Sequence, residues 1–179
     1  MTKRIIIFLT SLIFLTGAFL NAQTSKILVA YFSYSGNTKR AAEYVRDIIN
    51  ADIFEIIPVN KYPNDYNAAV RQYRREKESG ALPRLANSIN ISQYDTIILG
   101  YPNWGSDLPL VVKAFLSSNN FSGKRIIPLC THGGGGFADS VKSIRELCPN
   151  STILEGFSIN GREVQYSKNN LQNWLDRIL

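Results

Sequence analysis

Three short segments hold the residues of this sequence that could manage a ligand. The first is Ser33-Tyr34-Ser35-Gly36-Asn37-Thr38, set between an apolar run and a stretch of helical periodicity. A helix start presents unpaired N–H groups and the positive end of the helix dipole. Gly36 lets the backbone come close to a ligand. Ser33, Ser35, Asn37 and Thr38 add neutral polar groups, so the segment reads as a phosphate cradle that needs no cation. A plain capped turn also favours Ser, Asn and Thr, but four such side chains in six residues exceed what one cap uses. The Gly-Lys-Ser/Thr core of a Walker A loop is missing, and a single Gly is too few for a dinucleotide fingerprint.

The second segment is Gly100-Tyr101-Pro102-Asn103-Trp104-Gly105-Ser106-Asp107. The Trp104 indole can stack on a flat conjugated ring; packing on a neighbouring helix is the competing reading. The third is Thr131-His132-Gly133-Gly134-Gly135-Gly136. Its glycines offer backbone without a side-chain wall, suited to lying against a ring and bonding its edge through N–H groups. A flexible loop before a helix is the plainer alternative. His132 is the only His, and no cluster around it supports a metal site. Cys130 before a Gly-rich loop invites comparison with thiolate phosphatases, but the Cys-x5-Arg pattern needs Arg where Gly136 stands. No G-x-S-x-G is present to support a Ser hydrolase.

The elements that must position these segments follow from periodicity. Strands are expected at Lys26 to Phe32, Asp52 to Ile57, Thr96 to Gly100, Arg125 to Cys130 and Thr152 to Ile159. Helical stripes alternate with them: Ala41, Ala42, Val45, Ile48 and Ile49; Leu108, Val111, Val112, Phe115 and Leu116, with Asp107 as cap and Pro109 in the first turn; Phe137, Val141, Ile144 and Leu147; and Leu171, Trp174, Leu175, Ile178 and Leu179. Residues 58–93 read as a loop-rich crossover carrying one exposed helix from a cap at Asp65 to Ser79. Pro128 inside a strand predicts a bulge. Strands apolar on both faces, alternating with helices, imply a doubly wound parallel sheet covered on each side. Ligands of such sheets bind outside the carboxyl ends of the strands, where all three segments fall.

Composition is that of a globular chain, 45% apolar and 19% charged. Residues 1–22 are set apart: Lys3 and Arg4, an apolar run from Ile5 to Leu20, then Asn21 and Ala22. This pattern predicts a secretory signal cleaved after Ala22, or after Ala18, with an export to the periplasm. An uncleaved membrane tether is the alternative, although the run is shorter than a span requires. One Arg before the run gives no support for twin-Arg export. Removal of Lys3 and Arg4 lowers the formal charge from +6 to +4. The basic stretch Arg71 to Lys77 is interrupted by Glu76 and reads as a solvated helix face, not a nucleic-acid site. Cys130 and Cys148 sit at opposite ends of a strand-helix unit, about 15 Å apart along the helix. Two buried free thiols are expected instead of a disulfide.

With the three loops assembled, the sequence resembles the flavodoxins from Lys26 to Leu179. Ser33 to Thr38 is similar to that family's phosphate loop for flavin mononucleotide (FMN), T/S-x-T/S-G-x-T. Tyr101 to Gly105 and Thr131 to Gly135 resemble the two loops that sandwich the isoalloxazine. The resemblance implies a five-stranded sheet of order 2-1-3-4-5. It implies that Ser33, Ser35, Gly36, Asn37 and Thr38 hold the phosphate and that Pro102, Asn103, Trp104 and Gly105 meet the ring. Thr131, His132, Gly133, Gly134 and Gly135 would bond its pyrimidine end, with the Gly105 peptide near the flavin N5. Electron transfer is the leading function, an FMN-dependent NAD(P)H:quinone-type reductase the second, and a flavin-free phosphate- or sugar-binding module the third. The chain is basic where carrier flavodoxins are acidic, which predicts an acidic redox partner and a less negative second reduction potential. The third loop has no aromatic before Phe137, so Trp104 or a crossover Tyr such as Tyr66 is expected to cover the ring.

Overall fold

The computed structural model describes residues 26–179; the predicted signal segment lies outside the described residues. Six strands form one sheet: β1 (Ile27–Tyr31), β2 (Asp52–Glu55), β3 (Thr96–Pro102), β4 (Arg125–His132), β5 (Thr152–Ile153) and β6 (Phe157–Asn160). The order is β2-β1-β3-β4-β5, β6 also pairs with β4, and every pairing is parallel. Five helices cover it: α1 (Asn37–Ile49), α2 (Tyr66–Ser79), α3 (Leu110–Ser117), α4 (Ser140–Leu147) and α5 (Lys168–Ile178).

Side chains alternate across a strand, and here both faces are buried. Leu28 and Ala30 of β1, Ile97 and Leu99 of β3, and Ile126 of β4 pack with Val111, Phe115 and Ile144 on one side. Val29, Ile98, Ile127 and Leu129 pack with Ala41, Val45, Leu171 and Trp174 on the other. The long apolar runs of the sequence have this cause.

Three expectations need correction. The fifth strand is not continuous: Thr152–Ile153 and Phe157–Asn160 are separate pieces on the same edge of β4. Pro128 causes no bulge, because Pro128 pairs in register with Leu99. It lacks an N–H to donate, and it lies opposite the break, between Ile126 paired with Ile153 and Leu129 paired with Phe157. The proline is thus accommodated by interrupting its neighbour. Finally, Asp107 does not cap α3; Pro109, extended at φ −56° and ψ 142°, precedes its first turn. In contrast, Asp65 caps α2 as expected, accepting from the Ala68 N–H at 2.7 Å.

Cys130 and Cys148 are both free and buried. Burial pushes the Cys130 thiol up to about 12 and the Cys148 thiol to about 11, so neither is a thiolate nucleophile at neutral pH.

Candidate functional site

The carboxyl ends of the adjacent strands β1, β3 and β4 bring the three loops together. Gly36 stands at the head of α1 with φ +88°, a conformation that disfavours side chains with Cβ. Its N–H donates to the Ser33 hydroxyl at 3.2 Å, which closes the loop. No side chain caps α1. The Ser33 oxygen is thus engaged by the Gly36 N–H, and no polar side chain of the loop is spent on the N–H groups of the helix itself. Ser35 and Gly36 are exposed, and a Cβ on Gly36 would meet nothing within 4 Å. Asn37 lies in the first turn, its amide against Gly161 in the turn after β6.

Thr38 is placed differently from its neighbours. Its hydroxyl is buried and bonded to that of Thr131 at 2.7 Å. This pair ties the first loop to the third. One proton serves the bond between the two hydroxyls, leaving a second proton free to donate elsewhere.

Asn103 performs the same tie between the second and third loops. Its backbone N–H donates to the Thr131 carbonyl at 2.8 Å, and its side-chain amide to the Gly136 carbonyl at 2.7 Å. Tyr101, buried at the end of β3, shares a 2.9 Å hydrogen bond with the Ser140 hydroxyl at the start of α4. The third loop is thereby held at both ends. Within it the Gly134 N–H donates to His132 Nδ1 at 3.0 Å, which places the neutral ring's proton on Nε2. Gly133, Gly134 and Gly136 have open space where a Cβ would be. Pro102, Thr131 and His132, expected in loops, are the last paired residues of β3 and β4.

Trp104 is half-buried in a cage of aromatic edges: Phe32 at 5.6 Å, Tyr34 at 5.5 Å, Tyr62 at 4.8 Å and Tyr73 at 5.6 Å between ring centroids. Gly105 and Ser106, at φ +58° and +65°, form a two-residue turn closed by reciprocal Trp104 and Asp107 backbone hydrogen bonds. The Tyr73 hydroxyl donates to the Trp104 carbonyl at 3.2 Å and would lie 3.1 Å from a Cβ on Gly105. Sequence reasoning missed Tyr62 and Tyr73, because nothing local links the crossover to this loop. Tyr66, the expected crossover aromatic, is 70% exposed at the rim of a cleft of about 390 Å³ between α2 and the second loop.

Asp107 secures this turn. Burial opposes its ionisation, but the Lys113 ammonium at 2.5 Å, the Ser143 hydroxyl and the Leu108 N–H outweigh it and hold the carboxyl below its ordinary range. A carboxyl lowered in the folded state stabilises above its unfolded pKa of about 3.9 and loses that effect as pH falls through the lower folded value. Asp107→Asn is expected to cost about 1–2 kcal/mol at pH 7 and distinctly less at pH 3. Urea midpoints at both pH values check this; an equal difference at the two would refute it.

A flavodoxin family model matches residues 26–178. The chain belongs to the flavodoxin family. Among solved structures, this flavodoxin is similar to a proposed flavoprotein from Bacteroides uniformis ATCC 8492, at 30% identity and TM-score 0.76, covering 85% of this chain and 98% of that one. A proposed flavoprotein from Bacteroides eggerthii DSM 20697 is also 30% identical, with TM-score 0.75 and coverage of 86% and 98%. The flavoprotein from Lactobacillus acidophilus NCFM, crystallised in complex with FMN, shares the fold at 21% identity and TM-score 0.65, covering 79% and 97%. No curated protein sequence matches the chain.

Proposed function

We propose that this flavodoxin is an FMN-binding electron-transfer protein. The observation that carries the reading is the first loop: a left-handed Gly36, an α1 start with no side-chain cap, and exposed Ser35 with open space above the backbone. That arrangement suits a phosphate dianion. The open Gly133 and Gly134 suit the edge of a flat ring, and the FMN complex of the Lactobacillus neighbour supports the choice of flavin.

In this reading Ser33, Ser35, Gly36, Asn37 and Thr38 hold the phosphate. Pro102, Asn103, Trp104 and Gly105 meet the ring, and Thr131, His132, Gly133, Gly134 and Gly135 bond its pyrimidine end. FMN, when bound, supplies one- and two-electron chemistry. The protein's own part is orientation: the Thr38–Thr131 pair fixes the spacing of phosphate and ring loops, and Asn103 fixes the two ring loops to each other. The formal charge argues for an acidic redox partner, and the N-terminal sequence for export to the periplasm. N-terminal sequencing of the secreted product tests the export.

Fluorescence titration of the purified protein with FMN tests the central claim. Saturable quenching at micromolar or tighter affinity is expected, weakened about tenfold by Trp104→Ala through lost aromatic contact. Absence of quenching would remove FMN from the proposal. The cleft beside Trp104 and Gly105 favours a second reading, an FMN-dependent NAD(P)H:quinone-type reductase. Failure to oxidise NAD(P)H with any of several quinones would eliminate it.

A further inference from the structure

The cleft between α2 and the second loop has a composition of its own. Along α2 the residues Tyr66, Ala69, Val70, Tyr73, Arg74 and Lys77 fall at helical spacing, forming one stripe that lines it. The opposite wall is Tyr34 with Asn103, Trp104 and Gly105. None of the phosphate-loop residues Ser33, Ser35, Gly36, Asn37 or Thr38 lines the cleft, and none of the third loop does. The cleft is therefore a neighbour of the cofactor position and shares with its loops Tyr34 and the Asn103 to Gly105 edge.

Its polarity is one-sided. The Tyr73 hydroxyl is spent on the Trp104 carbonyl. The Tyr34 hydroxyl lies 2.8 and 3.0 Å from the Pro63 and Asn64 carbonyls. These walls accordingly offer ring surface more than hydrogen bonds. Charge comes from Arg74 and Lys77, which make no ion pair among the described residues, and no Asp or Glu lines the cleft. The volume, about 390 Å³, is in the range of small-molecule sites.

We propose that this cleft is a second binding site, for a flat aromatic molecule carrying one anionic group. The aromatic part lies against Tyr34, Tyr73 and Trp104, and the anion meets Arg74 and Lys77 at the rim. That the site abuts a bound ring rests on the FMN reading above; that it binds does not.

Calorimetric titration of the FMN-loaded protein with anthraquinone-2-sulfonate, against the neutral 2-(hydroxymethyl)anthraquinone, tests the proposal. One sulfonate per chain is expected, bound about tenfold more tightly than the neutral probe at low salt, since two exposed ion pairs contribute a few-fold each. Salt should erode the difference. Arg74→Ala with Lys77→Ala should abolish it, whereas Arg71→Ala with Arg75→Ala, on the same helix but outside the cleft, should leave it. Flavin fluorescence should stay quenched throughout. No binding, equal binding of both probes, or displacement of FMN by the sulfonate would overturn the proposal. A chain that binds the sulfonate but not FMN would refute the flavin reading and leave this site standing.

Discussion

Riboflavin is expected to bind this protein at least about 100-fold more weakly than FMN. The two ligands differ only in the phosphate, so the comparison isolates the first loop. At that loop the α1 start has no side-chain cap, and Ser33 and Ser35 stand beside it. A charge-assisted hydrogen bond contributes roughly 1.5–3 kcal/mol, and about 1.4 kcal/mol is a factor of ten in affinity. Loss of only two such bonds yields the stated ratio. No lysine or arginine is needed for this, so the ratio should survive Lys39→Ala and Arg40→Ala largely intact, the residue types being exposed and outside the Ser33 to Thr38 segment. Parallel fluorescence titrations with both flavins measure it. Equal affinities would mean that the loop is an ordinary turn and that the ring alone determines binding.

Gly156→Val is expected to destabilise the protein by about 3 kcal/mol, the upper part of the range for overpacking. A Cβ at this position would lie 2.6 Å from the Pro128 carbonyl oxygen, 2.8 Å from the Phe137 ring and 3.0 Å from the Pro128 Cβ. The first and last belong to a central strand paired on both sides, so neither can move aside cheaply. At a urea slope of about 2 kcal/mol/M, the midpoint should fall by about 1.5 M. A midpoint within about 0.3 M of the parent would show that the β5–β6 break is looser than its contacts indicate. The substitution also presses on Phe137, directly after the glycine run, so the third loop should lose order before the rest of the sheet does.

The resemblance between expectation and structure is closest where forces are local. The α2 cap at Asp65 needed only a carboxylate three residues before a free N–H. Gly36, read as backbone that can approach a ligand, stands exposed at the strand-to-helix turn, and its left-handed φ of +88° is supplied by the structure. Errors appeared where distant segments decide. Asp107 is a good cap by type, yet Ser143, 36 residues away, joins Lys113 in claiming its carboxylate. Pro128 is a poor central-strand residue by type, yet a break 26 to 28 residues later accommodates it, and no bulge is needed.

The sequence by itself determined the alternation of strands and helices, the two-sided burial of the sheet and the three chemically distinct strand ends. Each is written in residue types at short spacing, and the hydrophobic effect acts on that pattern whatever the distant partners are. Only the tertiary structure decided what joins those ends. The Thr38–Thr131 bond spans 93 residues and the Asn103–Gly136 bond 33. Tyr73 reaches Trp104 across 31 residues, and the cleft with Arg74 and Lys77 exists only because α2 packs beside the second loop. Such contacts depend on where right-handed crossovers set each helix against the sheet, and no short stretch of sequence encodes that placement.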